Sequence, residues 1–584
     1  MSKVLGLDSF DEVKQQEVPE VSMSLDSEKE EIKKTPIAVE LAKKQRVISV
    51  AEFFEKNRHL LGFDNKKKAL LTTVKEAVDN ALDACEEANI LPEINIEIVD
   101  MGEDRYRIIV EDNGPGIVKK QIPHIFARLL YGSKFHTLKQ SRGQQGLGIS
   151  ASVMYGQLTT GRAARITSKI GPSHPAIYTE LKLDTSKNKP QILKQEEAEW
   201  LKDHGTKVEI DLEGTYMKGP QSVDEYINNT AIINPHATIV YTNPKAEQII
   251  FPRATEKKPK EPKEIKPHPY GVELGILIKM LQNTEYRTLQ AFLTNEFSRV
   301  GTGTAKQVCE AAALLPSTKP KKMSRDMAES LLKGIQKTKI MNPQTDCLSP
   351  IGQELLLKGI QKEIKAEFYT STTRPPAVYR GNPFVIEAAI AYGGNLSVDD
   401  SVNIMRFANS VPLLYQQGAC SITHSVIKTN WRNYGLKQSR NSIPIGPCVV
   451  LVHMASVWVP FTSEAKEAIA HYPEIIKEIK LALQECGREL GKYLSKKRRL
   501  KKELKKIDFI SKYLPHVSIA LKDILNLDES QKSRLESYLR EVLEKSRSMR
   551  LPEIKDEIIN DDRLNGEDFG FEEDLNEENE EDDS

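Results

Sequence analysis

The 584-residue sequence predicts an α+β protein with several domains. Three observations support this fold class: an amphipathic helix precedes a run of alternating strands, a purely helical stretch follows, and a second set of apolar strands comes after it. No run of about 18 apolar residues occurs, and the N-terminus lacks the apolar core of a signal peptide. We therefore expect a cytoplasmic protein that does not cross a membrane.

The first predicted domain covers residues 46–264 and follows a charged, mobile arm at residues 1–45. Lys66 to Ala88 has apolar residues at helical spacing, so one face of this helix should be buried. The strands INIEIV and YRIIV alternate apolar and polar residues, and RITSKI, AIYTELKL and TKVEIDL follow. A helix followed by a sheet is typical of an α+β domain.

The remaining sequence divides by composition. The Lys- and Pro-rich stretch KKPKEPKEIK indicates a linker. The apolar strands PFVIEAAIAYG and PCVVLVHMASVWV indicate a second α/β region, and a long helix is predicted from near Ser463 through Lys506. A final helical pair is predicted to reach about Arg550. The predicted divisions are a helical domain at 265–346, an α/β domain at 347–505, a C-terminal helical segment at 506–550 and an acidic, disordered tail at 551–584.

The net charge of zero hides an asymmetry. Between Asp556 and Ser584 there are 15 acidic residues and one basic residue, so this tail carries −14 and the rest of the chain +14. A basic body suits a polyanionic partner, although a generally solvated basic surface explains the charge equally well. The six cysteines are scattered without a CxxC pair, which argues against a zinc site and a disulfide framework and suits a reducing cytoplasm.

The segment EDNGPGI, Glu111 to Ile117, ends the strand YRIIV on acidic residues and turns at once. Asn and Gly accept positive φ, so by itself the segment predicts only a tight turn. Upstream, Glu76 and Asn80 lie four residues apart and share a helix face that the apolar stripe leaves free. Taken alone, these two would be ordinary surface residues.

A glycine-rich segment, SRGQQGLGIS, precedes an apolar helical run. Glycine backbones at a helix N-terminus present N–H groups to phosphates. The later segment HGTKVEI contributes Gly205 and Thr206. In this order, the four segments resemble the GHKL ATPases, the family that includes gyrase B and the histidine kinases. The resemblance implies the α/β sandwich of that family, the Bergerat fold, with an ATP site.

The resemblance assigns roles to individual residues. Asp112 is similar to the carboxylate that accepts a hydrogen bond from the adenine amino group, and Gly114 and Gly116 would let the backbone pass close to the purine. Glu76 resembles the general base and Asn80 the Mg²⁺ ligand. The ATP-binding residues that the resemblance implies are Asn80, Asp112, Gly114, Gly116, Ser133, Lys134, Gly143, Gln144, Gln145, Gly146, Leu147, Gly148, Ile149, Ser150, Thr206 and Lys466.

Lys466 also breaks a local rule. In VPFTSEAKEAIA, Ser463 is a candidate N-cap of the predicted long helix, which places Lys466 in the first turn. The helix dipole disfavours a cation there, and a local rule broken without compensation often marks function. The resemblance implies that Lys466 contacts the γ-phosphate and is, with Glu76, a catalytic residue.

From about Val47 to Lys506 the sequence resembles the B subunits of the archaeal type IIB DNA topoisomerases, the topoisomerase VI family. AEFFEKNRHLLGF, the four ATP segments, KPHPYGVE, PFVIEAAIAYGG and VPFTSEAKEAIA carry the resemblance. It implies a helix–two-turns–helix insert at 265–346 and a transducer domain at 347–505 with a long C-terminal helix. It also implies ATP and Mg²⁺ as cofactors and an A2B2 heterotetramer with the topoisomerase VI A subunit.

The function implied by this resemblance is an ATP-operated clamp. ATP binding would join two copies through their ATPase domains, trap double-stranded DNA and drive double-strand passage. This passage would relax positive and negative supercoils and decatenate DNA, while the A subunit would cleave the DNA. The protein would be cytoplasmic and nucleoid-associated. Two alternatives are a clamp without strand passage, against which the insert starting KPHPYG argues, and a nucleotide that only joins the dimer, which Glu76→Ala would test.

Two basic features are candidates for DNA contact. The family often has W-K-x-Y in the transducer, whereas this chain has WRNY with Arg432 at the Lys position, which keeps the charge. Trp431 and Tyr434 could equally be core aromatics. The cluster KKRRLKKELKK could follow a phosphate backbone, or it could be a solvated helix face. The predicted DNA-binding residues are Arg432, Lys496, Lys497, Arg498 and Arg499.

Overall fold

The computed structural model describes residues 37–45, 47–134, 137–143, 146–463 and 465–559. The chain forms two compact units, Met1–Ile48 and Ser49–Ser584. In the first unit, Ile37–Lys44 forms helix α1, and the mobility predicted for the arm stays a prediction. The rest of the predicted arm before residue 37, and the tail after residue 559, lie outside the described residues. Among the described helices, none combines the length and apolar composition that a membrane crossing requires.

The first domain is built on an eight-stranded sheet. The strands are β1 (Glu93–Asp100), β2 (Arg105–Glu111), β3 (Ala164–Lys169), β4 (Ala176–Asp184), β5 (Lys189–Ala198), β6 (Gly205–Glu213), β7 (Thr238–Thr242) and β8 (Gln248–Phe251). Their order is β5-β4-β3-β6-β2-β1-β7-β8, and β1 pairs parallel with β7. The strand predictions in this region are confirmed. Alternate residues of β1, Ile94, Ile96 and Ile98, are buried, as the period of two requires.

Helices cover this sheet and carry the candidate site. They are α2 (Val50–Lys56), α3 (Lys66–Glu87), α4 (Ile122–Phe126), α5 (Gly148–Thr160) and α6 (Val223–Ile233). The side chain of Asn65 accepts a hydrogen bond from the Lys68 N–H and caps α3. The predicted apolar stripe of α3, which includes Leu70, Val74 and Val78, is buried in the same core as the sheet. The polar face of α3 is thereby turned away from the core.

The second domain is helical, as predicted. It contains α7 (Leu274–Asn283), α8 (Leu289–Glu296), α9 (Thr302–Ala311) and α10 (Arg325–Lys337). Leu277, Phe292 and Leu331 are fully buried in a core of its own. The fully described stretch 265–346 contains no strand. The exact domain boundaries stay predictions.

The third region is a second α/β layer. It contains α11 (Gln353–Glu363), β9 (Phe368–Thr373), β10 (Ala377–Tyr379), β11 (Asn382–Tyr392), β12 (Asn403–Ala408), β13 (Val411–Pro412), α12 (Ser421–Lys428) and β14 (Cys448–Ser456). The strand order is β10-β11-β14-β12-β13, with β9 also paired to β11. β11 and β14 are the two apolar strands that the sequence predicts. They are buried almost continuously, because helices cover both faces of the sheet.

The long helix α13 spans Pro473–Leu525 and therefore begins ten residues after the predicted start. Pro473 is at the first helical position, where a missing N–H costs nothing. The preceding residues form a loop closed by a bridge between Phe461 and Ile469. The predicted N-cap role of Ser463 is therefore wrong, and Lys466 does not lie in a helical turn.

α13 continues for 53 residues, well past the predicted end at Lys506. It ends at Asn526, which has a left-handed φ of 49°. In the described part of the chain a single helix, α14 (Glu529–Ile559), follows. The predicted helical segment at 506–550 is therefore present, as the end of α13 and most of α14 rather than as a pair separate from the long helix, and residues 551–559 are helical where disorder was predicted.

Candidate functional site

A cavity of about 660 Å³ lies against α3 and the start of α5. Its wall also includes residues 465–467, which come from the second α/β region. Gly114 is not part of the wall, and Gln144 and Gln145 lie outside the described residues. The predicted residues that line the cavity are Glu76, Asn80, Asp112, Gly116, Ser133, Lys134, Gly143, Gly146, Leu147, Gly148, Ile149, Ser150, Thr206 and Lys466.

Asp112 is buried at one end of this cavity, directly after β2. Its Oδ1 accepts hydrogen bonds from the backbone N–H groups of Gly114 at 2.8 Å and Thr206 at 3.1 Å. Burial raises the pKa of Asp112 to about 6, against the opposing effect of these two hydrogen bonds. Within the described residues no hydrogen bond uses Oδ2. The carboxylate is thus fixed in orientation and has one oxygen available for a donor from a ligand.

The glycines near Asp112 are required by the protein backbone itself. A Cβ on Gly205 would lie 2.2 Å from the Asp112 carbonyl oxygen, and a Cβ on Gly116 would lie 2.0 Å from that of Lys169. Both glycines also have positive φ. A Cβ on Gly114 would lie 2.9 Å from the Asp112 Oδ1. These close approaches hold the acid in place, while the predicted approach to a purine stays a prediction.

Glu76 and Asn80 meet the glycine-rich segment from α3. A Cβ on Gly148, the first residue of α5, would lie 1.7 Å from Glu76 Oε2, so the carboxylate rests against the N-terminus of α5. A Cβ on Gly143 would lie 3.8 Å from Asn80 Oδ1, and the Asn80 side chain is exposed. The predicted pair therefore faces backbone N–H groups and the positive end of a helix dipole.

Lys466 enters the cavity from its loop rather than from a helix. Its φ is 54°, a left-handed conformation that is strained for a lysine. Its Nζ donates a hydrogen bond to the carbonyl oxygen of Arg142 at 3.0 Å. Burial lowers the pKa of Lys466, and the Glu76 carboxylate opposes this effect. Lys466 and Glu76 therefore line the same cavity, but Lys466 reaches it from a loop and not, as predicted, from the first turn of a helix.

The residue after Lys466 anchors this loop. Glu467 is buried and forms an ion pair with Lys68, two turns before Glu76 on α3. The Lys68 Nζ also lies 5.2 Å from the ring centroid of Tyr415. Sequence reasoning missed Glu467 and Lys68, because residues about 400 positions apart give no local pattern. Their contact fixes the position from which Lys466 reaches the cavity.

The predicted ATP-binding residues Ser133 and Lys134 differ in their contacts. Ser133 lines the cavity. Lys134 does so too, but its Nζ is 2.7 Å from Asp83 Oδ2 and 2.9 Å from Glu87 Oε1. The lysine is therefore ion-paired to α3.

Arg142, which sequence analysis did not single out, lies in the glycine-rich segment and is buried. Its guanidinium pairs with Asp83 at 3.0 Å and Glu86 at 2.6 Å and donates to Asn234 at 2.7 Å. Burial favours the neutral acid, but Arg142 and His236 outweigh it and hold the pKa of Glu86 at about 2. An arginine among small and polar residues in SRGQQG was the available clue. This network ties the segment to α3.

Four other predicted ATP-binding residues bond to or pack against the protein itself. The Ser150 hydroxyl lies 2.9 Å from the carbonyl oxygen of Ile125, and the Thr206 hydroxyl lies 3.0 Å from the Ser168 hydroxyl. Leu147 and Ile149 are buried in the core of the first domain. They shape the cavity wall at the start of α5.

The WRNY segment forms a short 3-10 turn. Trp431 is fully buried, and its indole N–H donates to the Val426 carbonyl oxygen. Tyr434 packs closely on Gly487 of α13. Trp431 therefore belongs to the core and the half-buried Tyr434 packs against it, which favours the core alternative that the sequence left open. Arg432 is exposed, so its DNA contact stays a prediction.

The basic cluster lies on the middle of α13. Arg498 and Arg499 are exposed, whereas Lys496 and Lys497 are half-buried. The Lys497 Nζ is 2.7 Å from Glu367 Oε2, so this lysine is committed to an ion pair. The DNA role of the cluster also stays a prediction.

Known protein families match both α/β regions. The family described as Histidine kinase-, DNA gyrase B-, and HSP90-like ATPase matches residues 65–213. The family described as Topoisomerase VI B subunit, transducer, matches residues 343–506. The first match contains Glu76, Asp112 and Gly148, and the second contains Lys466. Residues of both matched regions therefore line one cavity.

Individual relatives agree with these matches. The B subunit of type 2 DNA topoisomerase 6 from Methanococcoides burtonii is 55% identical over 494 residues, which cover 84% of this chain and 79% of that protein. The protein of the same name from Methanosarcina acetivorans is 53% identical over 494 residues, covering 84% and 80%. That from Archaeoglobus fulgidus is 47% identical over 493 residues, covering 84% and 82%. The chain belongs to the family of type 2 DNA topoisomerase 6 B subunits and carries its ATPase and transducer domains.

Proposed function

We propose that this chain is the clamp component that hydrolyses Mg²⁺-bound ATP to drive passage of one DNA duplex through another. The carrying observation is that Glu76, the N-terminus of α5 and Lys466 meet in one cavity. A carboxylate, backbone N–H groups and a cation from a second domain are thereby brought together. These are the groups that phosphoryl transfer to water requires.

The adenine would bind at the Asp112 end. The free Oδ2 accepts a hydrogen bond from the adenine amino group, while Oδ1 stays bonded to the backbone of Gly114 and Thr206. A base without a donor at that position would leave a buried carboxylate unpaired, which costs about 1–3 kcal/mol or more. This difference gives selectivity for adenine.

Asn80 is suited to hold Mg²⁺. Its exposed amide oxygen lies beside the glycine-rich segment that would hold the phosphates. A single protein oxygen is sufficient, because Mg²⁺ keeps several waters and takes phosphate oxygens as further ligands. The ion would neutralise charge on the phosphates.

Glu76 and Lys466 would act at the γ-phosphate. Glu76 orients a water and accepts its proton as the water oxygen bonds to phosphorus and the bond to ADP breaks. Lys466 now donates to the Arg142 carbonyl oxygen and is within the same cavity, so it can exchange this partner for a phosphate oxygen. That exchange would report the nucleotide state to the transducer domain, because Glu467 and Lys466 belong to the same anchored loop.

The assembly that fits this chemistry is a dimer of these chains, closed by ATP around double-stranded DNA. Asn80-bound Mg²⁺ with ATP would complete each site. A topoisomerase VI A subunit would supply the cleavage chemistry in an A2B2 complex, since this chain's relatives are named as B subunits. The complex would act on nucleoid DNA in the cytoplasm.

The first experiment is plasmid relaxation with Mg²⁺ and ATP, using this chain alone and then with its A subunit. Relaxation only in the mixture, and its loss in Glu76→Ala, is the expected result. The substitution should abolish ATP turnover but leave ATP-driven dimerisation intact. ATP hydrolysis without relaxation in an otherwise active mixture would instead support a clamp without strand passage. Unchanged turnover in Glu76→Ala would remove Glu76 as the base.

A further inference from the structure

Residues 138–142, which we call the stem, lead into the glycine-rich segment. The stem forms hydrogen bonds with the transducer domain. Leu138 packs against a small apolar cluster that includes Cys347, Val385 and Ala455. Its carbonyl oxygen accepts a hydrogen bond from the Ile265 N–H at 3.1 Å, which also ties the linker to the stem. The stem therefore shares its core with the transducer sheet, although it belongs by sequence to the ATPase domain.

Gln140 makes the most specific of these contacts. Its side-chain Nε2 donates to the carbonyl oxygen of Ser349 at 3.0 Å, and its Oε1 accepts from the Ser349 N–H at 2.7 Å. Its backbone N–H donates to the Cys347 carbonyl oxygen at 3.0 Å. Gln140 is buried, so these hydrogen bonds have little competition from water. They fix the stem relative to the segment that leads into α11.

Asn409 holds the next stem residue. It lies in the turn between β12 and β13 with φ of 48°, and its Nδ2 is 3.1 Å from the Ser141 carbonyl oxygen and 2.9 Å from that of Ser456. Its Oδ1 accepts from the Ser456 N–H at 2.9 Å. One amide thus joins the stem, a transducer turn and the end of β14.

A buried pair stiffens this turn. His453 accepts a hydrogen bond from the Ser410 N–H at 2.9 Å through Nε2 and, through Nδ1, lies 2.8 Å from Glu387. Glu387 in turn accepts from the N–H groups of Ile351 and Gly352. Both side chains are fully buried. The turn that holds Ser141 is therefore connected to the residues that follow Ser349, the partner of Gln140.

The last stem residue reaches the cavity. The Arg142 carbonyl oxygen accepts the Lys466 Nζ, and its guanidinium binds Asp83 and Glu86 on α3. A displacement of the stem would therefore move Arg142, which is the partner of Lys466 and also directly precedes Gly143. Stem position and cavity geometry are linked by consecutive residues.

We propose that Gln140 and Asn409 are positioning residues that couple the nucleotide state of the cavity to the transducer domain through the stem, in parallel with Lys466. The proposal rests on the proposed nucleotide site. The coupling free energy is carried by the buried hydrogen bonds of the two side-chain amides. Gln140 and Asn409 do not line the ATP cavity, so they act on nucleotide only through the stem.

The test is hydrogen exchange of the full-length chain with and without the non-hydrolysable analogue AMPPNP and Mg²⁺. The variants are Gln140→Glu and Asn409→Asp, which keep each acceptor oxygen and replace each donor by an acceptor. The chain offers a matched control for each. Gln157 forms the same paired bonds with Leu183, and Asn188, with φ of 50°, forms them with Leu129, both inside the ATPase domain. The controls are Gln157→Glu and Asn188→Asp.

In the wild type, AMPPNP should slow exchange at residues 112–117 and also, several-fold, at 347–352 and 409–411. In Gln140→Glu and Asn409→Asp the change at 112–117 should persist, while the change at the transducer segments is lost. The controls should keep both. A purely structural role would raise exchange equally with and without nucleotide and leave the difference intact, which would overturn the proposal.

The wild-type measurement can overturn the proposal even if a variant fails to fold. Protection at 112–117 without any change at 347–352 and 409–411 would overturn this coupling and leave the nucleotide site standing. No protection at 112–117 would instead remove the proposed function. The two failures are therefore distinguishable in one experiment.

Discussion

Gly148→Ala should displace the proposed general base without unfolding the protein. The new Cβ would lie 1.7 Å from Glu76 Oε2, whereas ordinary contact begins near 3.4 Å, so the carboxylate must move by about 1.7 Å. The obstructing atoms are the end of a flexible side chain, and the first position of α5 accepts alanine, which is a better helix former than glycine. A misplacement of about 1 Å can cost roughly 10²-fold in rate. We therefore expect kcat to fall about 10²-fold or more, equivalent to roughly 3 kcal/mol of transition-state stabilisation.

The assay is phosphate release with Mg²⁺ and ATP, together with AMPPNP binding by calorimetry and the thermal midpoint. The control is Gly303→Ala at the second position of α9, where a Cβ meets nothing within 4 Å. The control should match the wild type in all three measurements. Wild-type kcat in Gly148→Ala, with the protein folded, would refute the inferred contact between Glu76 and the start of α5.

Three further predictions concern the same cavity. Asp112→Asn should weaken AMPPNP binding yet stabilise the free protein by up to about 3 kcal/mol at pH 7, because the pKa of the buried acid is raised to about 6 and its ionisation then opposes folding. This gain should vanish as the pH falls from about 6 to 4, and a pH-independent difference would contradict it. Lys466→Met should lower kcat about 10²-fold with little effect on AMPPNP affinity, which titration calorimetry checks. Arg142→Ala should cost about 3–5 kcal/mol in denaturant unfolding, because Asp83 and Glu86 would lose their shared guanidinium and keep only Lys134 and His236 as partners, and a loss below 1 kcal/mol would contradict this.

The ATPase fold and its acid were predictable because the relevant patterns are local. The stripe of α3, the alternation of β1 and the turn after Asp112 each occur within one element. Glu76 and Asn80 share a face by helical periodicity alone. The family resemblance then gave the order of these elements its functional meaning.

The context of Lys466 was not predictable in the same way. Ser463 followed by acidic residues resembles a capped helix start, but Pro473 and the Phe461–Ile469 bridge place the true start later. The loop is held by the pairing of Glu467 with Lys68, a contact that no periodicity encodes. Tertiary pairing therefore overrode a local capping pattern.

The length of α13 has a mechanical consequence. At 1.5 Å per residue its 53 residues extend about 80 Å, and its first half is seated on the transducer sheet through Ile475, Ile479 and Leu483. A rotation of about 5° about Leu483, within that seat, would sweep the far end near Leu525, roughly 60 Å away, through about 5 Å. A small rotation of the transducer sheet would therefore become a displacement of several ångströms at the end of α13.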